Sequence, residues 1–345
     1  GRLHFKKCGE KFIKNGVLSS PVEWSDIPPE DRRTMLRCFQ FVVDKYDAQM
    51  NFIKCKARMV VDGSVQDPVT YDVTASPTIT MASCKFLLQL AAHDGSKVAS
   101  TDIVGAFTLS PMRHRVFLEI PPGPYRSKFG RYTRVQKCLY GMRQAAREFY
   151  LTMHECLTAA GFDRCPVDPA LYAKVSDGEV VMKVGVHVDD TLMIYDDDEA
   201  LQNLVKHMEN FYGTDNVKVD LRPDTFLGIG LIYRDDGSIG LCQSGYIAKM
   251  TNTYATVLGD REEKYPHDRN GFKVLVDGKK GEVLSNQMIT KYNELIGSLG
   301  YAAVTRFDIQ AELSYCRSRL KNPNYGDWCR GLRILRYLRS TKDNV

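Results

Sequence analysis

No run of about 18 uninterrupted apolar residues occurs in the chain, so no segment is expected to span a membrane. The N-terminus is basic and polar (Arg2, Lys6, Lys7, Lys11, Lys14) and lacks the apolar stretch of a secretion signal. Ten cysteines, from Cys8 to Cys329, form no Cys-x-x-Cys pair, and the seven histidines do not cluster near them. Zinc-site spacing is therefore absent. A disulfide framework is not expected in so large a chain without a secretion signal, which leaves reduced thiols in a cytoplasmic protein as the expectation. No repeat of solenoid or propeller period is found. Charge of one sign is also lacking: 47 Lys and Arg face 42 Asp and Glu, a net charge of +5. Such a balance permits nucleic-acid binding without requiring it.

What is there fits a folded α+β chain. Apolar residues make up 43% of 345, and a single core rarely grows past about 250–300 residues, so subdomains are expected. Residues 1–50 give weak signals; Pro28-Pro29 marks a break and 32–46 is expected to be a helix. Residues 54–61 read as a strand carrying Lys54, Lys56 and Arg58. Thr80 is placed to cap a helix whose Cys84, Leu87, Leu88 and Ala91 fall at i, i+3, i+4 and i+7. Residues 98–103 read as a strand that ends beside Asp102, and 121–124 as a loop. A helix is expected over 144–160, with Tyr150, Met153, Leu157 and Ala160 on one face, then a strand over 171–175. Next, Met182, Val184, Val186 and Val188 alternate with Lys183, Gly185 and His187, which is strand period. Asp189-Asp190 follows, and Thr191 to Tyr195 leads back out, so the pair tips a β-hairpin. A further helix carries Leu201, Leu204, Val205, Met208 and Phe211, with Asp198 near its N-cap. This order is that of a split βαβ unit, with helices expected on one face of an antiparallel sheet. Residues 259–281 read as a flexible loop, and 288–340 as helical, divided at Pro323.

Two adjacent aspartates at a hairpin tip repel each other and raise each other's pKa. A divalent cation removes the conflict, and hard cations prefer carboxylate oxygen. In a split βαβ sheet the strand end at Asp102 lies beside such a tip, so three carboxylates could hold two Mg²⁺ ions, with Mn²⁺ as a substitute. The competing reading is a solvated acidic turn. Asp196-Asp197-Asp198-Glu199 is equally acidic and reads only as a helix start.

At this point the residues resemble a known family. His187-Val188-Asp189-Asp190 resembles the Tyr-Val-Asp-Asp motif of copia-type retrotransposon reverse transcriptases, and Asp102-Ile103-Val104-Gly105-Ala106-Phe107 resembles their Asp-x-x-Asn-Ala-Phe. Lys56-Ala57-Arg58-Met59-Val60, Tyr71-Asp72, Ser76-Pro77, Leu139-Tyr140-Gly141-Met142-Arg143-Gln144, Phe226-Leu227-Gly228-Ile229, Thr305-Arg306-Phe307-Asp308-Ile309, and Trp328 with 334–338 follow in the family's order. The resemblance implies a right-hand polymerase. Fingers would span 51–97 after an N-terminal extension (1–50). A ferredoxin-like palm would span 98–235, with a fingers insertion near 111–140. Thumb and loop would follow over 236–285, then a helical connecting segment over 286–345.

The implied activity is RNA-directed DNA synthesis from dNTPs on a primed RNA or DNA template, in cytoplasmic virus-like particles alongside other Pol and Gag products. Asp102, Asp189 and Asp190 would be catalytic metal ligands, with the Ile103 carbonyl beside them. Arg58, helped by Lys54 or Lys56, would contact the nucleotide triphosphate, although a solvated basic strand edge stays open. Phe107 would be the gate against a 2′-hydroxyl, with core packing as the alternative. Tyr140 and Gly141 would lie near the incoming base, or form a plain turn. His187, Val188, Arg143 and Gln144 would meet primer and template. The departures are His187 for tyrosine, Gly105 for asparagine (expected to loosen its turn), Asp62 for a basic residue, and Ala146 and Phe307 for prolines. Arg330, Arg333, Arg336 and Arg339 could track a nucleic-acid backbone or form a solvated helix face. The family's RNase H acidic cluster would lie beyond Val345, and no integrase-type or protease signature is found, which reads as a fragment or a copy that lost them. A non-catalytic scaffold and a nucleotidyl cyclase on a similar palm are the competing functions.

Overall fold

The computed structural model describes residues 9–10, 12–46, 52–267 and 281–343. The chain divides into two compact units, 1–223 and 224–345. In the first, the strands in chain order are β1 (Leu18–Val22), β2 (Leu36–Tyr46), β3 (Phe52–Val61), β4 (Lys97–Ile103), β5 (Phe117–Glu119), β6 (Tyr132–Val135), β7 (Asp163–Arg164), β8 (Leu171–Ser176), β9 (Glu179–His187), β10 (Asp190–Tyr195) and β11 (Val217–Asp220). Its principal helices are α1 (Pro29–Arg33), α2 (Met81–Asp94), α3 (Arg126–Phe129), α4 (Ala145–Ala159) and α5 (Asp198–Tyr212). One sheet has the order β1-β6-β5-β2-β3, the other β11-β4-β10-β9-β8-β7.

The helix expected over 32–46 is not formed. The helix there is one turn, α1, and β2 follows. Burial shows why: Leu36 and Cys38 are buried while Arg37 and Phe39 are exposed, which is strand period. The other expected elements of the unit form within a few residues of their expected bounds. Thr80 caps α2 by accepting from the Ser83 amide at 3.0 Å, and left-handed Gly95 ends it. Along α5, Leu201, Leu204 and Met208 are buried, but Phe211 is 43% exposed and Tyr212 turns inward instead. The α5 cap is Asp197, which accepts from the Glu199 and Ala200 amides; Asp198 pairs with Lys97.

Helices cover both faces of the six-stranded sheet, not one. Ala99, Ile103, Met193, Tyr195, Met182, Val184 and Val186 pack with Phe149, Met153 and Leu157 of α4 and Leu204 and Met208 of α5. On the other face α2 packs against β4, β9 and β10. Residues 191–195 of β10 are all buried, so this strand needs cover on both sides. Gly185 makes room for it: a Cβ there would run into Ile79 and press on Leu87.

In the second unit β12 (Thr225–Phe226), β13 (Ile229–Tyr233) and β14 (Ile239–Cys242) form a small antiparallel sheet. Helices α6 (Ser244–Thr253), α7 (Ala255–Leu258), α8 (Asn286–Ala302), α9 (Gln310–Ser318) and α10 (Tyr325–Ser340) share a core that includes Leu295, Leu299, Leu313 and Leu335. Pro323 lies between α9 and α10, and the 288–340 stretch holds three helices. Of the expected 259–281 loop, 268–280 falls outside the described residues. Arg306 grips Asp308 through two nitrogens (3.0 and 2.6 Å) and also donates to Thr341 at the end of α10. The α10 arginines are spent within the unit. Arg330 binds buried Glu312, Arg333 binds Glu263, Arg336 donates to the Leu258 carbonyl, and Arg339 to those of Gly259 and Arg261. Arg333, Arg336 and Arg339 hold 258–263 against α10 and Arg330 ties α10 to α9, which replaces the reading of a track for a nucleic-acid backbone.

The nine described cysteines are free thiols, and burial pushes those of Cys38, Cys138, Cys156 and Cys316 up to about 12. Among the described residues no helix is long and apolar enough to cross a membrane. Gly185→Val is expected to destabilise the first unit by about 1–3 kcal/mol through overpacking. Chemical denaturation checks this, and adding Ile79→Ala should recover part of the loss; an unchanged midpoint in the single variant would contradict the close α2 contact.

Candidate active site

Strand register builds the site. On β9 and β10, His187 stands opposite Asp190; on β10 and β4, Asp190 stands opposite Asp102; on β4 and β11, Asp102 stands opposite Lys218. Directly opposed residues share a face, with Cβ atoms about 4.5–5.5 Å apart. His187, Asp190, Asp102 and Lys218 thus form one rung across four strands. Asp189 lies in the turn beside them, and its carbonyl accepts from the Ile103 amide at 3.0 Å, which ties the hairpin tip to the end of β4. Below the rung, on the opposite face, the Thr101 and Thr191 hydroxyls meet at 2.6 Å in the core.

Like charges directly opposed in a ladder are destabilising. Partial burial, then the Asp189 and Asp102 carboxylates, push Asp190 up to about 6. Lys218 Nζ is 3.9 Å from Asp102 Oδ2, and both side chains are largely exposed, so this pair offsets little of the repulsion. The turn itself is strained. Val188 has φ +56, a conformation costly for a β-branched residue but one that tight hairpin turns demand. Three crowded carboxylates are the donor set a hard divalent cation takes. Among the described residues no three His, Cys, Asp or Glu side chains stand at coordinating spacing, so the register gathers the carboxylates without closing a ligand shell.

Phe107 sits in a 3-10 turn, Ala106–Leu109, entered through Gly105 at φ +79. Left-handed backbone suits glycine and, among other residues, asparagine best. The turn is not loose, since the Thr108 amide and hydroxyl both donate to the Gly105 carbonyl (2.8 and 2.7 Å). The half-buried Phe107 ring meets the Tyr140 ring edge-on, with centroids 4.9 Å apart. Gly141, at φ +91, lies so close to β3 that a Cβ would strike the Val61 carbonyl. The Val61 amide donates to the Tyr140 carbonyl at 2.8 Å.

Arg143 donates to the Gly63 and Ser64 carbonyls, and Gln144 is bonded to Gln66 and Thr70. Gln144 is 1% exposed, so its amide is committed to this internal stitch and cannot also meet a nucleic-acid strand. Arg58 is half-buried on β3, opposite Phe41, with no hydrogen bond to its buried Nε among the described residues. Lys54 and Lys56 lie on the same strand, but their side chains are outside the described residues. Half-buried His187 likewise has a buried Nδ1 without a partner among the described residues.

A family model described as reverse transcriptase (RNA-dependent DNA polymerase) matches residues 26–261. The chain belongs to this family. It is 27% identical over 319 residues to a retrovirus-related Pol polyprotein from transposon RE1 of Arabidopsis thaliana, covering 92% of this chain and 21% of that protein. It is also 27% identical over 323 residues to the Pol polyprotein from transposon TNT 1-94 of Nicotiana tabacum, covering 91% and 24%. The chain thus spans about a fifth to a quarter of the length of these relatives. Its fold resembles a foamy viral protease-reverse transcriptase solved in complex with double-stranded DNA. The TM-score is 0.50 at 15% identity, over 99% of this chain and 47% of that one. At that identity the likeness is one of fold, the α+β architecture of a right-hand polymerase.

Sequence reasoning missed Thr101, Thr191 and Lys218. The Val217-Lys218-Val219 alternation was a strand signal, but nothing local says which strand β11 joins. Two outcomes follow. Asp190, raised from 3.8 to about 6, binds more protons folded than unfolded in that window. Stability therefore falls as pH rises from about 4 to 6 and stays reduced above it. In metal-free buffer Asp190→Asn should melt higher than the parent near neutral pH and lose that advantage near pH 4; a pH-independent difference would refute the repulsion. Thr101→Val should cost about 1–3 kcal/mol by leaving the Thr191 hydroxyl unsatisfied, and the double variant Thr101→Val/Thr191→Val should recover most of it in urea denaturation.

Proposed function

We propose that this chain is an RNA-directed DNA polymerase that extends a primer on an RNA or DNA template with dNTPs. The observation that carries the proposal is the in-register opposition of Asp190 and Asp102, with Asp189 tied to Ile103 at the same strand end. Asp102, Asp189 and Asp190, with the Ile103 carbonyl, would hold two Mg²⁺ ions (Mn²⁺ as a substitute). Bound there, such ions supply a lowered pKa at the primer 3′-hydroxyl and charge for the departing pyrophosphate. The protein's share is positional. A hydrogen-bonded hairpin and the Thr101–Thr191 contact aim the carboxylates before substrate arrives. Arg58, with Lys54 and Lys56 on the same strand, would orient the triphosphate. The Phe107–Tyr140 pair would close the space beneath the sugar and exclude a 2′-hydroxyl. His187 and Val188 would face the primer end, with Gly141 near the incoming base.

In this reading residues 51–97 act as fingers, 98–235 as palm with the insertion near 111–140, 236–285 as thumb and 286–345 as connecting segment. The chain would work within a Pol polyprotein, in cytoplasmic virus-like particles. Primer extension on poly(rA)/oligo(dT) with dTTP and Mg²⁺ tests the proposal. The parent should extend the primer, and Asp189→Asn should reduce extension by several orders of magnitude. An inactive parent that is folded and still binds template would instead identify a scaffold that has kept the polymerase fold.

A further inference from the structure

Glu148 lies in the first turn of α4 with its side chain only 7% exposed, and its helix neighbours Ala145, Phe149 and Thr152 are buried too. An ionised carboxylate so placed is costly unless it is paired. Its partner is Arg113, whose Nε stands 2.9 Å from Glu148 Oε2 and whose Nη2 stands 3.4 Å from Glu155, two turns further along α4. No hydrogen bond to Glu148 Oε2 is formed among the described residues, so the contact with Arg113 is an ion pair. Burial pushes the Glu148 carboxyl up; Arg113, followed by His114 and Arg147, draws it back down, and Asp72 raises it.

Arg113 ends an arm that begins at Phe107. The Phe107 carbonyl accepts from the Ser110 amide (3.2 Å), the Ser110 carbonyl from the Cys138 amide (3.0 Å), and the Gln136 carbonyl from the Met112 amide (2.9 Å). Pro111 pairs with Lys137 in antiparallel sense. Residues 107–112 and 136–140 thus run side by side, with the Phe107 and Tyr140 rings at one end and Arg113 at the other. Phe107 packs against both cores of the unit, that of the six-stranded sheet and that of the five-stranded sheet. The arm reaches α4 through side chains: Gln144, at the helix start, meets the Met112 sulfur at 3.5 Å, and Arg113 meets Glu148. A ring that tells a hydroxyl from a hydrogen must be held to within about 0.5 Å. Stability alone explains the pair poorly, since apolar side chains of similar volume would join arm and helix at least as well.

We propose that Arg113 and Glu148 are positioning residues for nucleotide selection: their ion pair locks the 107–112 arm on α4 and so fixes the Phe107 ring against a ribose 2′-hydroxyl. The inference rests on the polymerase reading with Phe107 as its gate. Neither side chain touches the nucleotide; each acts through the ring. With the pair broken the ring gains freedom and ribonucleotides enter, while deoxynucleotides, which lack the excluded hydroxyl, are used as before.

Primer extension by the full chain with dTTP or UTP on poly(rA)/oligo(dT) tests this, and Phe107→Ala sets the scale of a lost gate. Arg113→Gln and Glu148→Gln should each lower the preference for dTTP about tenfold, through a smaller KM for UTP, with kcat for dTTP within about twofold of the parent. Arg113→Lys, which keeps the charge, should retain most of the preference. Arg113→Gln/Glu148→Gln should lose no more than either single variant. Arg115→Gln breaks a comparable pair with Asp31 on α1 and should keep the parental preference. Circular dichroism establishes that each variant is folded; Arg113 is 48% exposed, so its replacement carries the test if Glu148→Gln does not fold. An unchanged preference in the Arg113 and Glu148 variants, an equal loss in Arg115→Gln, or a fall in kcat on both nucleotides alike would overturn the proposal. So would a preference lost in Arg113→Gln but kept in Phe107→Ala, since the effect would then bypass the ring. A parent that extends no primer rejects the polymerase reading, and the hold on the ring is then read by urea denaturation. There the midpoint shifts of Arg113→Gln and Phe107→Leu should be non-additive, and additive shifts would reject the coupling.

Discussion

Like-charge repulsion across a β-ladder is the constraint around which the first unit is arranged. Asp190 and Asp102 stand opposite each other on adjacent strands, with Asp189 in the turn beside them, and partial burial, together with this crowding, raises the Asp190 pKa to about 6. A sheet tolerates such a rung only if it is held from elsewhere. Holding comes from below, where Thr101 and Thr191 bond and β10 is buried on both faces, and from the side, where the Ile103 amide binds the Asp189 carbonyl. The left-handed Val188 adds local strain on the same hairpin. Strain and repulsion concentrated at one strand end are the mark of a site whose stability is given up for a ligand.

The motif residues outside this rung show a division of labour within each unit. Leu139 to Gln144 resembles a motif as a unit, yet its members do different things. Tyr140 shows a ring to Phe107, Gly141 allows contact with the Val61 carbonyl, and Arg143 and Gln144 stitch the segment to 63–70. Thr305 to Ile309 is likewise structural at its centre, because Arg306 joins Asp308 and Thr341 within the second unit. Resemblance between motifs therefore marks where a fold is braced as often as where chemistry occurs.

On the β2–β3 ribbon the family motif covers Lys56 to Val60 of β3 but not Phe39 and Phe41 of β2. The ribbon's inner residues complete a core, and among the described residues its outer Phe39 and Phe41 are exposed. The reading of 32–46 as a helix hid this, because a helix would have scattered Arg37, Phe39 and Phe41 around its circumference instead of lining them on one face.

Local pattern alone determined the 182–195 hairpin, the Thr80-capped helix and the positions of the three aspartates, because each rests on short-range periodicity, capping or turn chemistry. Tertiary structure decided what local pattern cannot encode. It made β2 a strand, since pairing with β3 outweighed a weak helical signal. It placed α2 on the second face of the sheet, where Gly185 leaves room. It set Lys218 beside Asp102 and turned the α10 arginines onto their own chain. These outcomes depend on which distant segments meet, and only the pairing and packing of the folded chain settle that.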